Sequence, residues 1–283
     1  MSNTTSRLDE LTPEKRRLLA LRLKQRKADE PRAPTAGEGA GGEYPLAFTQ
    51  QRLWMLDRLQ PGSAAYNMPL AARFRQPLEH AVVERALGEI VRRHGALRTR
   101  FETRDEGPVQ VVEAFTSFHL PLHDLSALPE AEREAELARI AGEEATTPFA
   151  LDAEPAFRAR FVRMGQADAA VLATMHHIVS DGWSVSVFWS EFAELLATYA
   201  AGLASPLPPL PLQFGEHARR ERERLSGSAL DGMLAWWRGE LAGAPTLLEI
   251  PTDHPRPAVA SQRGTAFGAE LDETVAERVG ALA

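Results

Sequence analysis

Residues 169–199 carry the pattern that most constrains how this chain can fold. Ala169-Ala170-Val171-Leu172-Ala173-Thr174-Met175 is short, uncharged and rich in small and β-branched residues, so it reads as a buried strand. From Val185 to Tyr199 the apolar residues Val185, Phe188, Trp189, Phe192, Leu195, Leu196 and Tyr199 recur at steps of three and four. That spacing predicts an amphipathic helix, with Gly202 as its stop signal. Between them lies His176-His177-Ile178-Val179-Ser180-Asp181-Gly182-Trp183-Ser184. Polar groups there sit at a strand's carboxyl end and face a helix N-terminus, a common place for a functional site.

The two histidines must differ in role. Neighbours on an extended backbone point to opposite faces, so one imidazole turns into the protein and the other toward open space. That argues against both gripping one metal. No HExxH helix and no cysteine completes a zinc site, and no metal site is expected.

His176-His177-Ile178-Val179-Ser180-Asp181-Gly182 resembles the HHxxxDG signature of condensation domains of non-ribosomal peptide synthetases, within the chloramphenicol-acetyltransferase-like superfamily. Leu46-Ala47-Phe48-Thr49-Gln50-Gln51-Arg52-Leu53-Trp54-Met55-Leu56 is similar to the family's opening motif. Arg93-His94-Gly95-Ala96-Leu97-Arg98-Thr99-Arg100-Phe101 is similar to its second motif. All three occur in the family's order. The resemblance implies an α/β fold: a chloramphenicol-acetyltransferase-like lobe, a mixed sheet flanked by helices, followed by the truncated start of a second similar lobe.

Composition narrows the function classes. In 283 residues, 44% hydrophobic and 25% charged content are those of a globular protein. A net charge of −7 supplies no overall basic field, so nucleic acid is not expected as a partner. The absence of cysteine removes disulfides and a thiol nucleophile together. No apolar stretch reaches membrane-spanning length and no signal-peptide core opens the chain, so a cytoplasmic protein with no membrane partner is expected.

In order, residues 1–27 read as a basic helix opened by Thr12-Pro13-Glu14, either a solvated terminal helix or a docking element for an upstream synthetase subunit. Residues 28–43 read as a flexible Pro/Gly linker. Residues 44–212 are expected to form the N-terminal lobe. It has helices at Leu46–Leu59, Leu78–His94 and Glu130–Glu144, and strands at Tyr66–Phe74, Leu97–Glu102, Val109–Phe115 and Phe157–Met164. Residues 213–283 read as connector helices, Gln213–Leu225 and Ala229–Leu241, and the start of the C-terminal lobe, with a strand at Thr265–Glu270 and a helix from Asp272. Trp236-Trp237 read as core or lobe-interface packing.

By resemblance, the chemistry is peptide-bond formation between a donor acyl or peptidyl thioester and an acceptor aminoacyl thioester. Both ride on the 4′-phosphopantetheine of upstream and downstream peptidyl carrier domains, beside an adenylation domain, and no cofactor binds directly. His177 takes the catalytic position, with Asp181 and Gly182; His176, Ser184 and Arg98 are supporting. Asp181 has two readings: orienting His177, or lying buried and paired with an arginine. If that arginine is missing, the loop is expected to be loose and the fragment poorly active. Gly182 N–H is a candidate to polarise the thioester oxygen, and Ser184 reads as a helix cap. The Ile178-Val179-Ser180 interior and Tyr66-Asn67-Met68-Pro69 resemble the subtype joining two L-residues. The alternatives are a non-catalytic module of this fold that recruits partners to a carrier protein, and an acyltransferase using soluble acyl thioesters.

Overall fold

The computed structural model describes residues 38–246, 251–255 and 269–282. The chain divides into two compact units, Met1–Trp237 and Arg238–Ala283. The N-terminal helix expected over residues 1–27 and the strand expected at Thr265–Glu270 lie wholly or largely outside the described residues.

The first unit holds two sheets. Strands β1 (Gly42–Pro45), β3 (Thr99–Arg104) and β4 (Gly107–Val112) form an antiparallel sheet in the order β1-β4-β3. Strands β2 (Asn67–Phe74), β5 (Leu122–Asp124), β6 (Phe157–Gly165) and β7 (Asp168–His176) form the second, in the order β2-β7-β6-β5. There β5 runs parallel to β6 and the other pairings are antiparallel, so the sheet is mixed. Pro69 pairs with Thr174 on the edge strand β2, where a missing N–H costs no ladder bond.

Helices α1 (Phe48–Leu59), α2 (His80–Arg93), α3 (Glu130–Thr146), α4 (Gly182–Ala200) and α5 (Phe214–Arg224) surround these sheets. Strand β7 is uncharged beyond Asp168 because both of its faces are covered. Its odd-numbered residues Val171, Ala173 and Met175 pack with Leu87 and Ile90 of α2 and Phe188, Phe192 and Leu195 of α4. Its even-numbered residues Ala170 and Leu172 pack with Ile140 of α3. This is the α/β arrangement of a mixed sheet flanked by helices.

Several sequence expectations are corrected. Residues 38–43 are not linker: Gly42 and Glu43 open β1, and Glu38 pairs with Arg92 and Arg93. Leu97 and Arg98 belong to a 3-10 turn, Gly95–Arg98, rather than to the expected strand, and His94 caps α2. Leu59, the last apolar residue of the expected first helix, is exposed. Helix α3 reads as a charged surface helix, yet it buries Glu144, whose carboxylate accepts from Arg158 Nε at 3.1 Å and Arg160 Nε at 2.5 Å. Trp236 and Trp237 lie on α6 (Gly227–Glu240) and stack edge to face, ring centroids 4.7 Å apart. Both are exposed among the described residues, so of the two expectations, core and lobe-interface packing, core packing does not hold there. In the second unit, Asp272 caps α7 (Glu273–Gly280), and Val275, Val279 and Leu282 are exposed.

Candidate functional site

The connection from β7 to α4 is a tight, hydrogen-bonded turn. His176 N–H donates to Ala156 O at 3.0 Å, and His177 N–H donates to Tyr66 O at 2.8 Å. Both residues therefore keep strand register, and their rings point to opposite faces.

His176 is 2% exposed and lies against the rings of Tyr66 and Phe149. Ile178 N–H donates to its Nδ1 at 3.0 Å. That nitrogen must carry a lone pair, so the proton of the neutral ring sits on Nε2. Burial, helped by the neighbouring His177, pushes the His176 pKa down to about 4. His176 is thus a neutral, buried organiser of the turn.

His177 has the opposite arrangement. Its ring is exposed, and Nδ1 lies 2.6 Å from Ser180 O. A carbonyl oxygen only accepts, so Nδ1 carries the proton. The neutral ring then presents an unprotonated Nε2. The turn that holds Ser180 O is closed by Val179 N–H to His176 O at 3.0 Å and by the Ser180 hydroxyl to the same oxygen at 3.0 Å. Gln50 is buried beneath it: its Nε2 donates to Ile178 O at 3.2 Å, and its Oε1 accepts from Ala47 N–H at 3.0 Å. The opening motif thereby braces the histidine turn across 128 residues of sequence. Gln50 was not singled out from sequence, where a Gln in an amphipathic helix looks like surface.

Among the described residues, Asp181 takes part in a helix cap. It is exposed, and it does not hydrogen-bond His177; Ser180 O is the group that orients that ring. Its Oδ1 accepts from Ser184 N–H at 2.7 Å and from the Ser184 hydroxyl at 2.6 Å. Asp181 N–H lies 3.3 Å from Ser184 Oγ, which closes a reciprocal capping box at the start of α4. Asp181 is the N-cap and Ser184 its N3 partner, so Ser184 serves the cap from within the first turn. The Ser184 hydroxyl, then its backbone N–H, hold the Asp181 pKa below the usual carboxylate range.

Gly182 and Trp183 follow on the first turn of α4 and are exposed, Trp183 to 81%. A Cβ at Gly182 would meet nothing within 4 Å, so the surface beside that residue is open. Arg98 lies elsewhere. It is buried where α2 meets β4, donating from Nε to Val91 O at 2.9 Å and from Nη1 to Glu113 O. Burial lowers its pKa. None of its hydrogen bonds among the described residues reaches the histidine turn. No group of three or more His, Asp or Glu among the described residues is placed to hold a metal ion.

A family model described as Condensation domain matches residues 40–283. The chain belongs to the condensation-domain family. It is 40% identical over 271 residues to phosphinothricin tripeptide synthetase PhsB of Streptomyces viridochromogenes, covering 94% of this chain and 22% of that protein. It is therefore similar to about a fifth of a much longer synthetase. Among solved structures, the X-domain in complex with OxyB from teicoplanin biosynthesis superposes with a TM-score of 0.66 at 28% identity, covering 78% of this chain and 48% of that one. The starter condensation domain of rhizomide synthetase RzmA gives a TM-score of 0.65 at 21% identity over 72% of this chain and 49% of that one. This chain spans about half the length of those solved relatives.

Proposed function

We propose that this chain carries the histidine-bearing half of a site that joins two carrier-bound acyl groups through an amide bond. The observation that carries this reading is the tautomer of His177: Ser180 O takes the Nδ1 proton, leaving Nε2 unprotonated on an exposed ring. In the reaction, the acceptor's amine nitrogen attacks the donor thioester carbonyl. Nε2 accepts or holds the amine proton as the C–N bond forms, the C–S bond breaks, and the departing thiolate takes a proton. Gly182 N–H, on the first turn of α4 beside the Asp181 cap, is the candidate donor to the developing oxyanion. Both substrates ride on the 4′-phosphopantetheine arms of peptidyl carrier domains. An adenylation domain loads the acceptor, and both residues are L-configured. The setting is cytoplasmic; among the described residues no helix is long and apolar enough to cross a membrane.

Dipeptide formation between two loaded carrier domains tests this, using a protein of full condensation-domain length that contains this sequence. Product that appears with L-configured donors and is absent without the protein supports the reading. Carrier binding with no product would favour a second reading, a partner-recruiting module of the same fold, which the likeness to the X-domain in complex with OxyB makes worth testing.

A further inference from the structure

Strand alternation puts Gln110 and Val112 on the buried face of β4, where an apolar side chain is the ordinary occupant. Gln110 is 1% exposed and sits in register between Tyr44 of β1 and Phe101 of β3. A buried amide is costly unless its hydrogen bonds are met. Here both polar atoms are met. Gln110 Nε2 donates to Pro45 O at 2.8 Å, and its Oε1 accepts from Gln50 Nε2 at 3.4 Å. Gln50, 2% exposed, is the residue that holds Ile178 O from beneath the histidine turn.

The two amides cannot be turned over. Ala47 N–H only donates, so the Gln50 atom facing it at 3.0 Å is Oε1. Pro45 O only accepts, so the Gln110 atom facing it is Nε2. Gln110 Oε1 and Gln50 Nε2 are then left face to face. Both amide protons of Gln50 are committed, one to Gln110 and one to Ile178 O at 3.2 Å. The pair is anchored at one end on β1, through Pro45, and at the other on the N-cap of α1, through Ala47.

What the pair holds bears on His177. Ile178 O and Val179 N–H belong to one peptide plane. Gln50 fixes its oxygen, and Val179 N–H donates to His176 O at 3.0 Å. Ile178 is itself 2% exposed, with its own N–H on His176 Nδ1. Two peptide planes further on is Ser180 O, the acceptor of the His177 Nδ1 proton. The position of that oxygen follows from the orientation of the clamped plane.

We propose that Gln110 and Gln50 are positioning residues for His177. They form a buried relay of two amides that fixes the Ile178–Val179 peptide, and through it the Ser180 carbonyl that keeps the His177 proton on Nδ1. Neither touches substrate. The inference rests on the reading of His177 given above and adds the device that selects its tautomer.

Imidazole nitrogen shifts of the 15N-labelled 283-residue chain test it. They are read by long-range proton–nitrogen correlation at about pH 8.5, where an unperturbed imidazole is neutral, and His177 is assigned by the signal that His177→Ala removes. The wild type is expected to show one tautomer, with the proton on Nδ1. Gln50→Met keeps the length and removes the donor; its two nitrogen shifts should converge toward those of free imidazole. Gln110→Leu should move them the same way by less, and the double variant no further than Gln50→Met, because the two act in series. Val112→Ala, on the same face of β4, should lower the melting temperature and leave the shifts in place. Circular dichroism checks folding; if Gln50→Met does not fold, Gln110→Leu decides. In a protein of full condensation-domain length, Gln50→Met should lower kcat for dipeptide formation roughly 10- to 100-fold with KM within about twofold. A wild-type proton on Nε2, shifts unmoved in a folded Gln50→Met or Gln110→Leu chain, or equal movement in Val112→Ala would each overturn the assignment. Failure of the condensation reading would show separately, as the Nδ1 tautomer present and relay-dependent without dipeptide formation.

Discussion

Replacing Asp181 separates two accounts of the most recognisable acid in the chain. In the structure its carboxylate is exposed and accepts from the Ser184 N–H and hydroxyl at the start of α4. Asp181→Ala leaves those donors to water. Loss of an N-cap costs about 1 kcal/mol, range 0.5–2. For a unit of this size that lowers the melting temperature by about 2–4 °C. Asp181→Asn keeps an acceptor in the same place and is expected to cost less than about 0.5 kcal/mol. Were the carboxylate a buried member of an ion pair, both changes would cost about 3–5 kcal/mol. The sign with pH follows from the lowered pKa of Asp181. Its contribution is fully present above the unfolded value, near 4, and fades as pH falls through the lower folded value. The gap between wild type and Asp181→Ala should therefore close below about pH 4. Thermal denaturation by circular dichroism from pH 3 to 7, at about one-unit steps, measures this. A loss above about 3 kcal/mol for Asp181→Asn would refute the capping assignment.

Three further outcomes follow from the packing. Glu144→Gln breaks the pairing of a buried carboxylate with the partly exposed Arg158 and Arg160 and should cost about 1–3 kcal/mol in urea denaturation; a loss under about 0.5 kcal/mol would contradict a stabilising role for that pairing. His176 has its pKa at about 4, against 6.5 unperturbed, so the unfolded chain takes up a proton that the folded one resists. Stability should be level above pH 6.5 and fall between there and pH 4, by an amount on the order of 3 kcal/mol, and His176→Asn should flatten that slope. At Gly215, a Cβ would come within 2.5 Å of the Tyr44 ring, so Gly215→Ala should cost about 1–3 kcal/mol and lower the melting temperature.

How far the fold could be read in advance depended on periodicity. Strand β7 and helix α4 were legible because one is apolar on both faces and the other repeats every three to four residues. The opposed histidine rings were legible for the same reason, since strand alternation needs no tertiary information. What could not be read was set by partners distant in sequence. Glu144 looks like one more surface acid in a charged helix until Arg158 and Arg160 meet it across the sheet. Gln50 looks like surface until it meets Ile178 O. Asp181 and Ser184 are both capping residues, so their order at the helix start was ambiguous without the backbone. Trp236 and Trp237 are large aromatics of a kind usually buried, and nothing local marks them as exposed.

The central claim is that His177 Nε2 meets the proton of the attacking amine. Single-turnover dipeptide formation between two loaded carrier domains tests it most directly, in a protein of full condensation-domain length with and without His177→Ala. The rate should fall by roughly 10²- to 10⁴-fold with carrier binding unchanged. A His177→Ala protein that forms the peptide bond within about twofold of the wild-type rate would contradict the account.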